Sequence, residues 1–321
     1  MRARPALPAL LFTVVLATAL SRAAAAGAWN LTPGEYYSEF RSGFFSADTY
    51  HDQNGDRSTL FGGGLQEERS LLSYTEFGWK KRVSFILGIP ARSVTRRFGS
   101  AADTSYRPTA TGLADGLVGF RWGLANAKTA LAIQLDWKPP LGYDRNRYLS
   151  LSHRDSVRFG DANGDGDSLD VNHLNQAGAP RLGDGQQDLT VALHLGTALP
   201  FMRGFFQVSG GYRYRFEDPG DQIVGSADLG VWILPSLMLA GRYLGEIAAS
   251  ENGPPTADPD RHRVGPMLLY RVDDRLDLFA SSLHTAMANN ALHTDEIFVG
   301  VAFKNTKLTR QQGFLGGLAG P

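Results

Sequence analysis

Cysteine is absent from all 321 residues, which excludes disulfide staples, thiolate-bound metals and thiol catalysis together. Net charge is absent too. With 32 lysines and arginines against 32 aspartates and glutamates, no overall field draws the chain to nucleic acid or an acidic partner. Long apolar runs are missing beyond residue 20, so no later segment is suited to crossing a membrane as a helix. Sustained helical periodicity is also scarce beyond residue 30.

The N-terminus, "MRARPALPALLFTVVLATALSRAAAAGAW", has arginines, an apolar core from about Leu7 to Leu20 and an alanine run. This order predicts a secretory signal peptide over residues 1–26, cut after Ala26. The apolar core is shorter than the roughly 18 to 20 residues of a spanning helix. The exported chain is therefore expected either to be soluble outside the cytoplasm or to cross a membrane with strands.

Apolar residues alternate with polar or small ones at period two, the period of a strand with two different faces. In "RVSFILGIPARSVTRR", Val83, Phe85, Leu87 and Ile89 share one face, and Ser84, Gly88, Arg92 and Arg96 the other. In "TALAIQLDWK", Leu131, Ile133, Leu135 and Trp137 oppose Gln134, Asp136 and Lys138. The pattern returns in "QDLTVALHLGTAL", "GFFQVSGGYRYRF" and "DEIFVGVAFK". About twelve such segments begin near residues 35, 67, 83, 114, 129, 187, 203, 222, 237, 261, 275 and 293.

The connections alternate between short and long. Lys80–Arg82, Asn126–Lys128, Pro200–Met202, Pro235–Ser236 and Asp273–Asp274 are tight, whereas the stretch from Leu141 to Gln186 runs to roughly 45 residues, beyond the usual loop of a compact domain. Tight turns at one rim and long loops at the other, with an even number of strands, predict a transmembrane antiparallel up-and-down β-barrel of the bacterial outer-membrane type. A bilayer leaves no backbone amide unpaired, so without spanning helices only a closed sheet crosses it. The barrel is expected over residues 27–304, followed by a tail over 305–321. Aromatics near strand ends, Trp79, Trp137, Tyr143 and Phe216, suit the two membrane interfaces.

The face opposite the lipid would line the lumen with Glu76, Arg92, Arg96, Arg121, Asp136, Arg213, Arg215, Asp228, Arg242 and Glu246. Twelve strands lie between barrels filled by side chains and open porins, so the lumen should be narrow. Its arginines either bias passage toward anions or pair with the carboxylates as structure.

Three blocks carry a family likeness: "TGLADGLVGFRWGL" running into "TALAIQLDWKPPLG", then "LGDGQQDLTVALHLGTAL", then "GGYRYRF". They resemble the outer-membrane transporter or channel family labelled for the meta-pathway of phenol degradation, within the porin-like superfamily. Gly112, Asp115, Gly183, Asp184 and Asp188 stand where strands begin in that pattern, and "AWNLTPGEYYSEF" is similar to its opening. The resemblance implies passage of small molecules, aromatic or otherwise hydrophobic, without chemistry. Outer-membrane lipid, the barrel-assembly machinery and the solute would be its partners.

In "DANGDGDSLDVN", Asp161, Asn163 and Asp165 alternate before Gly166, with Asp167 and Asp170 following, a spacing suited to calcium. The twelfth position is Asn172, so the bidentate carboxylate of a complete calcium loop is missing. A bound Ca2+ over 161–172 and a plain acidic surface loop both remain open, and no other cofactor is expected. In "SLSHRD", Ser152, His153 and Asp155 are too close on an extended chain for a working triad, although an outer-membrane lipid hydrolase is one alternative function. A structural or adhesive barrel acting through its external loops is the other. The transport reading predicts diffusion through the lumen, gated by the loop from Leu141 to Gln186 and by the N-terminal segment from Gly27 to Pro33.

Overall fold

A computed structural model of the chain describes residues 28–60, 64–97, 109–142, 182–183, 185–216, 220–250 and 259–305. These contain fourteen strands: β1 (Tyr36–His51), β2 (Arg57–Thr59), β3 (Leu65–Lys80), β4 (Val83–Arg97), β5 (Thr109–Leu113), β6 (Leu117–Asn126), β7 (Thr129–Lys138), β8 (Asp188–Ala198), β9 (Gly204–Arg215), β10 (Gln222–Leu234), β11 (Leu237–Ala248), β12 (Asp260–Arg271), β13 (Leu276–Asn289) and β14 (Ala291–Asn305). No helix occurs among the described residues.

Neighbours along the path β1-β3-β4-β6-β7-β8-β9-β10-β11-β12-β13-β14 pair antiparallel, and β14 pairs with β1 from Tyr36↔Asn305 to His51↔Ala291. The sheet thereby closes into a barrel of twelve strands, with the short β2 and β5 attached to β1 and β4. Closure leaves no strand edge for lipid to strip of hydrogen bonds.

β5 and β6 are two pieces of one broken strand. Thr109–Leu113 pairs with one half of β4 and Leu117–Trp122 with the other, separated by Ala114–Gly116. The strand expected near residue 114 thus begins at Leu117, because the chain turns its Asp115 inward at the break. In β12, pairing with β13 skips from Val264↔His284 to Met267↔Ser281, across Pro266, which has no N–H to donate.

All five tight turns fall on one rim, shared with the start of β1 and the end of β14. The other rim does not carry long loops throughout, as strict alternation would require: β13 and β14 are joined by Asn290 alone. That residue has φ 51°, a left-handed conformation that asparagine tolerates better than most side chains.

Period two sorts the wall as physics requires. Leu71, Leu87, Ile133, Leu193, Leu239 and Val299 face outward and are exposed, and Trp79, Trp122, Trp137 and Tyr214 stand near the ends of their strands. With Leu193 50 % exposed at the middle of β8, this face is apolar where water would penalise it and hydrocarbon would not. The terminal aromatic Phe303 also faces outward, edge-on to Phe40 at 6.4 Å between centroids.

Candidate functional site

The interior is stacked in three levels. At the tight-turn rim the segment 28–33 folds into the barrel, with Ala28, Trp29, Asn30 and Leu31 buried. The Trp29 indole N–H donates to the Ala127 carbonyl at 2.9 Å, and the Asn30 amide donates to the carbonyls of Arg82 and Arg121 at 2.8 and 2.9 Å. Asn126 donates back to the Asn30 carbonyl at 3.1 Å, and the Leu31 N–H reaches Ser84 Oγ at 3.3 Å. Glycine makes room for this crossing: a Cβ on Gly196 would lie 2.4 Å from the Trp29 ring, and one on Gly78 would lie 2.0 Å from the Thr32 carbonyl. Above the segment, Trp29 and Leu31 join a buried apolar layer that includes Ile86, Phe205, Met238, Met267, Leu269 and Phe279.

The next level is a buried charged network. Arg121 donates to Glu76 Oε2 at 2.7 Å and to Gln134 Oε1 at 2.9 Å, and Gln134 Nε2 donates to Asp136 at 2.7 Å. Across the barrel Asp228 accepts from Arg242 at 2.5 Å and from Gln207 at 2.6 Å. Nearer the tight-turn rim, at the β12–β13 turn, Asp277 pairs with Lys304 and, at 3.4 Å, with Arg271, whose guanidinium lies 4.3 Å from the centre of the Trp232 ring. Buried charges persist only when compensated in this way.

The third level, toward the loop rim, holds two cavities that share Leu244 and Arg263 in their walls. The larger measures about 240 Å³ and is bordered by Arg41, Arg92, Arg242, Arg261 and Arg263. The smaller measures about 100 Å³ and is bordered by Asp136, Lys138, His194, Arg213 and Glu246. His194 Nε2 and Asp136 Oδ1 are buried there without a hydrogen-bond partner. Glu246 gathers Arg261 at 2.7 Å, Arg213 at 3.4 Å and Arg263 at 3.9 Å, and Arg263 also donates to Glu296 at 2.9 Å.

The ten residues named from the sequence therefore stand on the inward-facing set. Glu76 meets Arg121, Asp228 meets Arg242, Glu246 meets Arg213, and Asp136 reaches Arg121 through Gln134. Arg92 pairs with Glu68 at 3.2 Å, and Arg96 donates to Gln66 at 2.8 Å. Arg215 lies 3.5 Å from Asp188, which also holds Lys138 at 2.5 Å, with Asp115 on the other side of Lys138 at 3.7 Å. Two of the aspartates in the family-like blocks thus meet through one lysine, although 73 positions separate Asp115 from Asp188.

Sequence reasoning did not pick out Arg41, Glu68, Arg261, Arg263 and Glu296. Parity was the available signal, since each alternates with outward residues such as Phe40, Val264 and Ile297. The calcium-type residues Asp161, Asn163, Asp165, Asp167 and Asp170 lie outside the described residues, as do Ser152, His153, Asp155, Tyr143 and Asp184. Among the described residues no group of three or more metal-ligating side chains is arranged to hold an ion.

No protein-family model matches the chain, and no curated protein matches it in sequence. Solved structures do match in shape. The crystal structure of an outer membrane channel from Pseudomonas putida F1 aligns with TM-score 0.63 and 11 % identity over 86 % of this chain and 97 % of that one. The translocator domain of the autotransporter NalP from Neisseria meningitidis gives 0.46 at 10 % identity, over 85 % and 89 % of the two chains. The NanC porin gives 0.45 at 10 % identity, over 84 % and 100 %. At the identity of the first, the likeness is one of fold.

Proposed function

We propose that this chain is a bacterial outer-membrane channel that passes small molecules by diffusion through a narrow polar lumen, with no chemical step of its own. The observation that carries the reading is the pairing of an outer wall that is apolar along its middle with an interior of ion pairs around two adjoining cavities. Side chains fill the interior of barrels of about eight strands, and a twelve-stranded barrel is wider, with room for such spaces between charged walls. The Pseudomonas putida F1 protein of similar fold is itself an outer membrane channel, which supports the same reading here.

The segment 28–33 is the constriction. It closes the tight-turn end with hydrogen bonds to backbone carbonyls of the β3–β4 turn, the β6–β7 turn and β6. Solute entering from the loop side meets the two cavities, then the charged network beneath them, then the Trp29 layer. Hydrophobic or aromatic solutes, as the family resemblance implies, would pass Trp29 and Leu31 on leaving.

Reconstitution tests this directly. The full chain folded into liposomes should accelerate swelling in small solutes and give discrete conductance in planar bilayers. A folded barrel that does neither, with and without substitutions that loosen residues 28–33, would sink the channel reading.

A further inference from the structure

We infer that the larger interior cavity is a binding site for a monocarboxylate with an apolar body, and that Arg41 receives the carboxylate. This deepens the channel reading and rests on it for access of the ligand to the lumen. The starting point is a charge count. Five arginines border the cavity: Arg41, Arg92, Arg242, Arg261 and Arg263. Four carboxylates answer them, with Glu68 on Arg92, Asp228 on Arg242, Glu246 on Arg261 and Glu296 on Arg263. Five minus four leaves one guanidinium, and Glu246 is further divided with a sixth arginine, Arg213.

The guanidinium left over is that of Arg41. Among the described residues no carboxylate lies within the 4.0 Å of an ion pair, and the group stands 5.0 Å from the centre of the Phe298 ring. Glu39, two residues earlier on the same face, attracts Arg41 only from beyond ion-pair distance and accepts a hydrogen bond from Tyr37 Oη at 3.0 Å. A cation resting on an aromatic face inside a barrel is incompletely solvated, and it gains most from an anion that brings two acceptor oxygens to its fork.

The opposite character of the remaining wall sets the rest of the ligand. Phe45, Phe298, Leu244, Leu283 and Leu292 border the same space, so an apolar body of a ring or a short chain is sheltered there while its carboxylate faces Arg41. A volume of about 240 Å³ falls below that of sites for drug-sized ligands, at ~300 to 1,000 Å³, and suits one ring or a short acid. One guanidinium outside the ion pairs of the described residues suits one carboxylate on the ligand.

The test is titration calorimetry on the full-length folded barrel in detergent with four probes: benzoate, hexanoate, benzyl alcohol and acetate. Benzoate and hexanoate should bind. Benzyl alcohol lacks the charge and acetate lacks the body, and each should bind about tenfold or more weakly, the range of one charge-assisted hydrogen bond. Arg41→Gln should weaken benzoate roughly 10- to 100-fold, and Arg41→Lys should recover part of the loss because it restores the charge without the fork. Arg41 belongs to no ion pair among the described residues, so the variants should keep the heat-modifiable mobility of a folded barrel; if one does not, the benzoate and benzyl alcohol contrast on the unaltered protein remains decisive. Equal binding of benzyl alcohol and benzoate, or unchanged benzoate binding by folded Arg41→Gln, overturns the site. Liposome flux measured on the same preparation separates the two ideas: flux without benzoate binding removes this site and leaves the channel, and benzoate binding without flux does the reverse.

Discussion

Breaking the Arg121–Glu76 pair reports whether the middle of the lumen is dry. The two charged groups approach to 2.7 Å, with side chains 1 % and 2 % exposed. Coulomb's law gives about 6 kcal/mol of attraction at that separation for an effective dielectric near 20, and about 1.5 kcal/mol in bulk water. In a dry interior, Glu76→Leu or Arg121→Met alone strands the partner's charge and should cost about 3 to 5 kcal/mol. The double variant removes both charges, and it should recover most of that loss because neither ion then requires desolvation. Urea unfolding of the reconstituted barrel, followed by tryptophan fluorescence and by gel mobility, gives the four corners of the cycle. A coupling of several kcal/mol supports a pair held dry in the wall beneath the cavities. Single variants that each cost less than ~1 kcal/mol and add independently would mean the pair is hydrated, as exposed pairs are. In that case solvent already threads the barrel at Arg121, and the constriction cannot extend above the Trp29 layer.

Three other perturbations follow from the same geometry. Gly196→Val puts a side chain where the Trp29 ring now lies, so the segment 28–33 should be displaced and single-channel conductance should rise while the barrel stays folded; unchanged conductance would show that this segment is not the constriction. Leu193→Arg, at the middle of the outward face, should destabilise the membrane-inserted barrel by about 2 to 4 kcal/mol, whereas inward Thr190→Arg should cost much less in the same unfolding assay. The spacing of Asp161, Asn163 and Asp165 predicts calcium uptake at roughly 10⁻⁴ to 10⁻³ M, as in extracellular sites; titration should detect it in the full chain and lose it in Asp165→Ala.

Twelve strands, their order and the direction of nearly every outward side chain were legible in the sequence, because alternation is a local property and each strand carries its own. Tyr212 and Arg213 are neighbours that must face opposite sides, whatever the strand pairs with. The tight turns were legible for the same reason: Pro235–Ser236 lies between two alternating runs that leave no other path. The one-residue turn at Asn290 was not, since the polar stretch from Asn289 to Asp295 reads as loop until its pairing with β13 and β1 is known.

The sequence by itself determined that the chain closes into a barrel and which residues face its interior. Hydrocarbon tolerates neither open backbone nor charge, and both demands act on every second residue of every strand. Only the tertiary structure decided what those inward residues do to one another. Arg263 finds Glu296 across 33 positions, Arg121 finds Glu76 across 45, and Trp29 finds Ala127 across 98. Such pairings depend on barrel circumference and strand stagger, and closure sets these for all strands at once. The same closure leaves Arg41 beside Phe298 and outside the ion pairs of the described residues, a fact that no strand carries alone.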